Sequence, residues 1–285
     1  KPTSPQSRWP QPSCFGCDQE RVLTLGKVVA SRNDAYPEGA TVRALGGWAE
    51  HVILPPDALS LEQIDAKPDL APELHMGLLG SSGLTAWIGM HEIAGIRPGD
   101  TVLVSAATGS VGSVAGQIAK RHGCTVIGLA GGPEKRRTLA TLGYDHAIDY
   151  RAVPDLGAAL GRIAPNGIDV FFDNVGGEML ETVMMCMADR GRIAVCGMMG
   201  QYNNQDNAHA NRSLWQLVVK RLMLRGFLTP DHADRLPEAA RDLAAGAKEG
   251  SLVPLQQLYD GLGEAPRAFI DLMSGKTTGK TLVRL

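Results

Sequence analysis

The sequence predicts an α/β protein, a doubly wound parallel sheet joined to a second, smaller domain rich in β-strands. Three observations carry this. From about residue 101 onward, short apolar runs alternate with helix-like stretches, the order that a parallel sheet covered on both faces requires. Before that point, short segments rich in Val, Leu and Ile are separated by turn residues, as antiparallel strands are. Between the two patterns, "LVSAATGSVGSVAGQIAK" (residues 103–120) passes from an apolar run through spaced glycines into a helical pattern. At 285 residues the chain is long enough for two domains, which typically span about 50–250 residues each.

Taken in order, the first stretch, "KPTSPQSRWPQPSCFGCDQE", holds four prolines and no hydrophobic periodicity, so it reads as an arm or linker outside any core. "RVLTLGKVVAS", "ATVRAL" and "GWAEHVIL" follow as antiparallel strands of the β-rich domain, with "RNDAYPEG" as a turn. "PDLAPELHMGLLGSSGLTAWIGMHEIAGIRPGD" suits helices packed around a glycine-rich bend. Strands are then expected at 101–106, 125–129, 146–149, 169–174 and 192–196, with another near 224–228. Helices are expected at 111–122, 133–142, 153–163, 178–188 and 213–221. "HADRLPEAARDLAAGAKEG" and "EAPRAFIDLMSG" add amphipathic helices, and "KTLVRL" is a last strand expected to return to the β-rich domain.

Composition narrows the partners. With 44% hydrophobic residues, 20% charged residues and a net charge of −2, nothing favours nucleic acid or a membrane surface. No run approaches the ~20 apolar residues that span a bilayer, and no signal-peptide core is evident. The five cysteines (Cys14, Cys17, Cys124, Cys186 and Cys196) are odd in number, and three lie in apolar stretches, which suits free thiols in a reducing cytoplasm.

The glycine-rich turn carries the first chemical reading. A dinucleotide cradle of the Rossmann type needs one residue for a tight turn, one where backbone meets pyrophosphate, and one where helix packs on strand. Ala107, Gly109 and Gly112 occupy those places, with Ser110 and Val111 between, so the motif is a variant with Ala first. Such a turn can also be a tight packing corner. The strand before it and the helix N-terminus after it, whose N–H groups are free to meet an anion, favour the cradle.

The next strand end decides which dinucleotide is held. An NAD site places a carboxylate about 20 residues beyond the glycines to bind the ribose 2′-hydroxyl. This chain has Ala130, Gly131 and Gly132 there, followed at once by Lys135, Arg136 and Arg137. Room and positive charge for a 2′-phosphate favour NADP(H), although such a charge run can also be a solvated helix face.

These segments, with "IDVFFDNVGGEMLETV", "GRIAVCGMMGQYN" and "KRLMLRGFLTPDH", resemble the zinc-free branch of the medium-chain dehydrogenase/reductase superfamily. The resemblance is to the group of prostaglandin reductases, leukotriene 12-hydroxydehydrogenases and 2-alkenal reductases, and it runs from about Gly26 to Leu285. It implies an NADPH-dependent enzyme that reduces the carbon–carbon double bond of an α,β-unsaturated ketone or aldehyde, and commonly a homodimer. It also implies a GroES-like substrate domain built from both chain ends, giving residues 1–82 and 253–285 to that domain and 83–252 to the Rossmann domain. Relatives have a longer β-rich region before "GKVVAS", including a segment lining the substrate cleft; the Pro-rich stretch stands in its place, so an incomplete GroES-like domain is expected.

By motif, the resemblance assigns Lys135 and Tyr150 to the 2′-phosphate, Asn174 to the cofactor near its ribose or diphosphate, and Tyr202 to a position beside nicotinamide and substrate. Gly131, Cys196, Gly197 and Phe227 join the cofactor-binding set. A cation, a phenol and an amide are chemically suited to phosphate and ribose. Tyr150 is also compatible with strand-end packing, and Asn174 with a turn before a glycine pair. Tyr202 is the one catalytic assignment: with a ribose hydroxyl it donates to the carbonyl oxygen while hydride reaches the β-carbon. Zinc-dependent relatives carry a Gly-His-Glu segment and a four-cysteine lobe; here Cys14 and Cys17 form a lone CxxC and His51 reads as structural, so no metal is expected. Two alternatives stay open, a quinone oxidoreductase using the same cofactor and an NADPH-binding module with little catalysis.

Overall fold

The structure, a computed structural model, describes residues 22–58, 60–65, 70–201 and 213–285. The chain opens with β1 (Val22–Lys27), which pairs antiparallel with β2 (Thr41–Gly46), and β2 pairs in turn with the short β3 (Glu62–Gln63). The third anticipated strand does not form: residues 47–54 run as bends and extended chain, and Ile53 is fully exposed at 101%. Its apolar alternation has no facing strand among the described residues, and alternation yields a strand only where a partner takes up the backbone groups.

The glycine-rich bend leads into α1 (Ser81–Ile88), continued by one π turn at Gly89–Ile93. The bend is dictated by space. A Cβ at Gly83 would lie 1.7 Å from the carbonyl oxygen of Leu78, and one at Gly80 would lie 2.3 Å from that of His75.

Alternation then begins: β4 (Thr101–Val104), α2 (Gly112–Arg121), β5 (Thr125–Ala130), α3 (Pro133–Thr141), β6 (His146–Asp149), α4 (Leu156–Ile163), β7 (Ile168–Asp173), α5 (Gly177–Cys186), β8 (Met187–Val195), α6 (Trp215–Val219) and β9 (Met223–Gly226). The six strands from β4 to β9 form one parallel sheet in the order β6-β5-β4-β7-β8-β9. The order reverses between β4 and β7, which opens a crevice beyond their carboxyl ends. Successive residues explain the sandwich: Val102 and Val104 join a core shared with α1 and α2, while Leu103 between them joins Ile127, Phe171 and Met184 on the other face. Burial on both faces is why these strands read as unbroken apolar runs.

Boundaries differ from expectation where side chains cap backbone. The helix anticipated from 153 starts at Leu156, because the Asp155 carboxylate accepts the N–H of Ala158 at 2.9 Å. The helix anticipated to 188 stops at Cys186: the Lys220 ammonium donates to the carbonyls of Met185 and Met187, both at 2.7 Å, and β8 starts at once. The helix expected at 213–221 is confined to α6, with no side-chain cap at its start.

After β9 come α7 (Leu236–Glu249), β10 (Gln256–Asp260), α8 (Ala265–Met273) and β11 (Lys280–Arg284). The last strand, expected to return to the β-rich domain, pairs in parallel with β10, a strand the sequence pattern does not announce. β11 and α8 face β1 and β2 across a cavity of about 1630 Å³ lined by Leu23, Leu25, Trp48, Phe269 and Leu282.

Candidate functional site

The crevice at the β4/β7 switch gathers most of the sequence-predicted residues. Chain leaving β4 passes Ser105 and Ala106 before the glycine loop. Ala106, at φ 46°, makes the left-handed turn. Ala107 follows it, fully buried, with its N–H donating to Leu129 at 2.9 Å. This corrects the motif reading. The tight turn falls one residue before the fingerprint's first position, so Ala107 needs no positive φ and its methyl packs into the core.

Gly109 and Gly112 do have to be small. Their added Cβ atoms would lie 3.0 Å and 2.5 Å from the Ala106 carbonyl oxygen, so the loop folds back tightly on itself. Among the described residues, the N–H groups of Val111 and Gly112 meet no backbone acceptor, whereas Ser113 and Ala115 donate to Gly109 and Val111; the parallel bridge of Gly109 to Gly279 turns the Ser110 N–H toward the Gly279 carbonyl. Two open donors at the start of a ten-residue helix form an anion cradle, which fits the pyrophosphate of a dinucleotide. The loop is fixed from two sides. Ser110 and Ser82 hydroxyls share a hydrogen bond of 2.9 Å, and the Tyr144 hydroxyl donates to the Gly112 carbonyl at 2.8 Å. Tyr144 occupies a slot kept open by Gly116 and Gly128, and burial pushes its phenol far above the ordinary range.

Asp173, at the end of β7, ties the switch together. Its carboxylate accepts from the Ser105 hydroxyl at 2.9 Å and from the N–H groups of Val175 and Gly176 at 3.0 Å. Burial raises its pKa despite those bonds. Asn174 follows with its N–H on the Ser105 hydroxyl and its side-chain amide donating to the Ser105 carbonyl, at 2.8 and 2.7 Å. One amide proton is thus committed inward, leaving the carbonyl oxygen and the second proton for a ligand. Cys196 and Gly197 sit alongside, both donating their N–H to the Asp173 carbonyl. The Cys196 thiol is pushed up to about 12 by burial and by the Asp173 carboxylate, so it stays protonated and is a wall, not a nucleophile. Phe227 packs against bare Gly89, where a Cβ would lie 2.8 Å from its ring, and Thr85 and Thr229 bond at 2.8 Å just beyond.

At the end of β5, Gly131 lies under the Arg151 guanidinium, a Cβ there falling 2.8 Å from its Nε, with Lys135 and Tyr150 beside the same guanidinium. The Lys135 ammonium donates to the Gly275 carbonyl at 2.7 Å; burial and the neighbouring Arg151 guanidinium hold its pKa below the usual lysine value. Sequence reasoning missed Arg151, and it took this strand end to be free of carboxylates. Asp149 reaches it from β6, where its Oδ1 accepts from Gly132 at 2.9 Å and Arg151 at 3.1 Å. Also missed was the chain's return: Gly279 donates to the Thr108 carbonyl at 2.7 Å, laying residues 275–279 beside the cradle. The only signal for this was the glycine, whose φ of 73° and 2.1 Å clearance from the Leu255 carbonyl oxygen admit no side chain.

Tyr202, Cys14 and Cys17 lie outside the described residues. Among the described residues, no group of three or more His, Cys, Asp or Glu is arranged to hold a metal ion, and no helix is long and apolar enough to cross a membrane. None of the cradle residues lines the large cavity of the β-rich unit.

Comparison with known proteins agrees with this geometry. Residues 110–245 match the family model described as zinc-binding dehydrogenase. Prostaglandin reductase 1 of Rattus norvegicus is 40% identical over 263 residues, spanning 91% of this chain and 79% of that protein. The NADP(+)-dependent 2-alkenal reductase of Nicotiana tabacum is 40% identical over 260 residues, spanning 91% and 75%. CurA of Vibrio vulnificus in complex with NADPH superposes with a TM-score of 0.83 at 36% identity, covering 93% of this chain and 79% of that one.

Proposed function

This chain belongs to the zinc-free branch of the medium-chain dehydrogenase/reductase superfamily, in the group of prostaglandin and 2-alkenal reductases, and on that premise we propose that it uses NADPH to reduce the carbon–carbon double bond of α,β-unsaturated ketones and aldehydes. The observation that carries this is the agreement of a relationship to such reductases over 91% of this chain with a cradle that has open N–H donors at Val111 and Gly112 and a cationic pocket beside bare Gly131.

NADPH, when bound, supplies the hydride. The chain's own residues bind and orient. The N–H groups of Val111 and Gly112, beside Ser110, hold the pyrophosphate, with Gly109 shaping the loop and Ala107 packing beneath it. Lys135 and Tyr150 hold the 2′-phosphate against Gly131. Asn174 contacts a ribose with its remaining amide groups, while Cys196, Gly197 and Phe227 wall the nicotinamide end. The Tyr202 hydroxyl donates to the substrate's carbonyl oxygen, where negative charge grows as the β-carbon is reduced, and the α-carbon then takes its proton from solvent or a relay. In this reading residues 83–252 bind the dinucleotide, and residues 1–82 with 253–285 form the GroES-like substrate domain.

The enzyme is further read as a cytoplasmic homodimer. Three free thiols, at Cys124, Cys186 and Cys196, fit a reducing compartment. β9 is an edge strand of the six-stranded sheet, with Met223 and Leu224 exposed next to Trp215 and Val218 of α6, and such an edge favours pairing with a second copy. Sedimentation of the protein at twice the chain mass, lost on Trp215→Glu, is the expected behaviour; a monomer at micromolar concentration contradicts it.

Activity is tested by following the loss of reduced-nicotinamide absorbance with a small enone and, separately, with a quinone. Faster oxidation with the enone, yielding the saturated ketone, is expected. Quinone-only turnover, or none with any enone, refutes the proposal.

A further inference from the structure

We propose that Arg151 is a second cation of the 2′-phosphate subsite and that, acting with Lys135, it sets the preference for the phosphorylated dinucleotide; this rests on the NADP(H) reading above.

Topology brings it there. β6 lies next to β5 at the edge of the sheet, with Asp149 in register with Ala130, so the residues just past the two strand ends become neighbours. Gly131 is the first residue past β5, and Arg151 is the second past β6. A Cβ added to Gly131 would lie 2.8 Å from Arg151 Nε and 3.1 Å from Cζ, so the guanidinium rests directly on the glycine backbone. A larger residue at 131 would push it off. The guanidinium also sits 5.8 Å from the centre of the Tyr150 ring, which steadies it in that place.

Its surroundings are those of an anion site. Lys135 approaches from α3, near enough that the two positive charges oppose each other. Among the described residues neither forms an ion pair. The Lys135 ammonium has only the Gly275 carbonyl, and the nearby Asp149, though it feels the guanidinium, has its Oδ1 taken by two backbone N–H groups. Like charges held side by side are unfavourable until a multiply charged anion lies between them. A phosphate monoester is such an anion, and the planar guanidinium can offer it two parallel N–H donors where the Lys135 ammonium offers a point charge.

Calorimetric titration of the full chain with NADPH and with NADH tests this in wild type and in Arg151→Gln. Loss of the guanidinium should weaken NADPH by about ten-fold, the effect of one charge-assisted phosphate contact, and leave NADH unchanged. In the cofactor-free protein, the Lys135 ammonium, followed by its side-chain carbon resonance, should titrate at higher pH in Arg151→Gln. An unchanged ratio of NADPH to NADH affinity in that variant overturns the role of Arg151 while leaving the NADP(H) reading intact. Equal affinity of the wild type for the two dinucleotides overturns the reading itself. An unshifted Lys135 titration overturns the opposed-charge arrangement.

Discussion

Gly112→Ala probes the cradle most sharply, because what a methyl would meet there is backbone. The added Cβ would lie 2.5 Å from the Ala106 carbonyl oxygen and 3.0 Å from Ala107 Cα, where ordinary contact begins at 3.4 Å. Flexible side chains can swing away from such a clash; a loop that is pinned by Tyr144, Ser82 and Gly279 cannot. Overpacking of this kind costs about 1–3 kcal/mol, and rigid neighbours place it near the upper end, offset by up to about 1 kcal/mol of helix propensity gained on replacing glycine. The net expectation is a loss of about 2 kcal/mol, a fall in Tm of about 4–8 °C. Displacement of the Val111 and Gly112 donors should also weaken NADPH and NADH alike by about ten-fold, since both carry the pyrophosphate. Gly161→Ala in α4 is the matched control. Nothing lies within 4 Å of its Cβ, so it should gain about 0.5–1 kcal/mol and bind both dinucleotides normally. Thermal denaturation and calorimetry on the two variants decide the matter: a Gly112→Ala protein with wild-type Tm and wild-type affinities would refute the assignment of this loop.

Other consequences are independent of that loop. Lys135→Glu places repulsion at the 2′-phosphate and should weaken NADPH by about a hundred-fold in calorimetry while sparing NADH; equal losses would mean a general defect. Tyr202→Phe should lower turnover more than NADPH affinity in steady-state kinetics, and an unchanged rate would remove the residue from catalysis. Tyr144→Phe gives up the bond to Gly112 and should cost about 1 kcal/mol in urea unfolding, with no loss contradicting the brace. Asp173 has a native pKa above its unfolded value, so the stability linked to its proton is complete below about pH 4 and disappears as pH rises through the native pKa. Unfolding free energy of the wild type relative to Asp173→Asn should therefore decline as the pH is raised above about 4, and a constant difference would contradict the raised pKa.

Much of this was legible in the chain itself because parallel strands buried on both faces leave long apolar signatures. Each expected strand of the six-stranded sheet is present, although β8 begins at Met187 instead of 192; the shifted start of α4 and end of α5 trace to Asp155 and Lys220, side-chain events that periodicity does not encode. "GWAEHVIL" shows the opposite failure, an alternating pattern with no partner strand beside it. For the candidate site, the sequence names Gly109, Gly112, Gly131 and Lys135, whose places are set by local chain geometry. Arg151 and Asp149 could not be named that way: Asp149 ends β6 and Arg151 follows it by two residues, and only the sheet order makes β6 a neighbour of β5. The same holds for Gly279, which returns to the cradle from the far end of the chain.

Transfer of a hydride to the β-carbon can be read directly with NADPH carrying deuterium at the reactive position of its nicotinamide, a simple enone, and NMR of the product. One deuterium on the β-carbon of a saturated ketone is the predicted result. Deuterium on the carbonyl carbon of an allylic alcohol, or none in the organic product while NADPH is consumed, would contradict it.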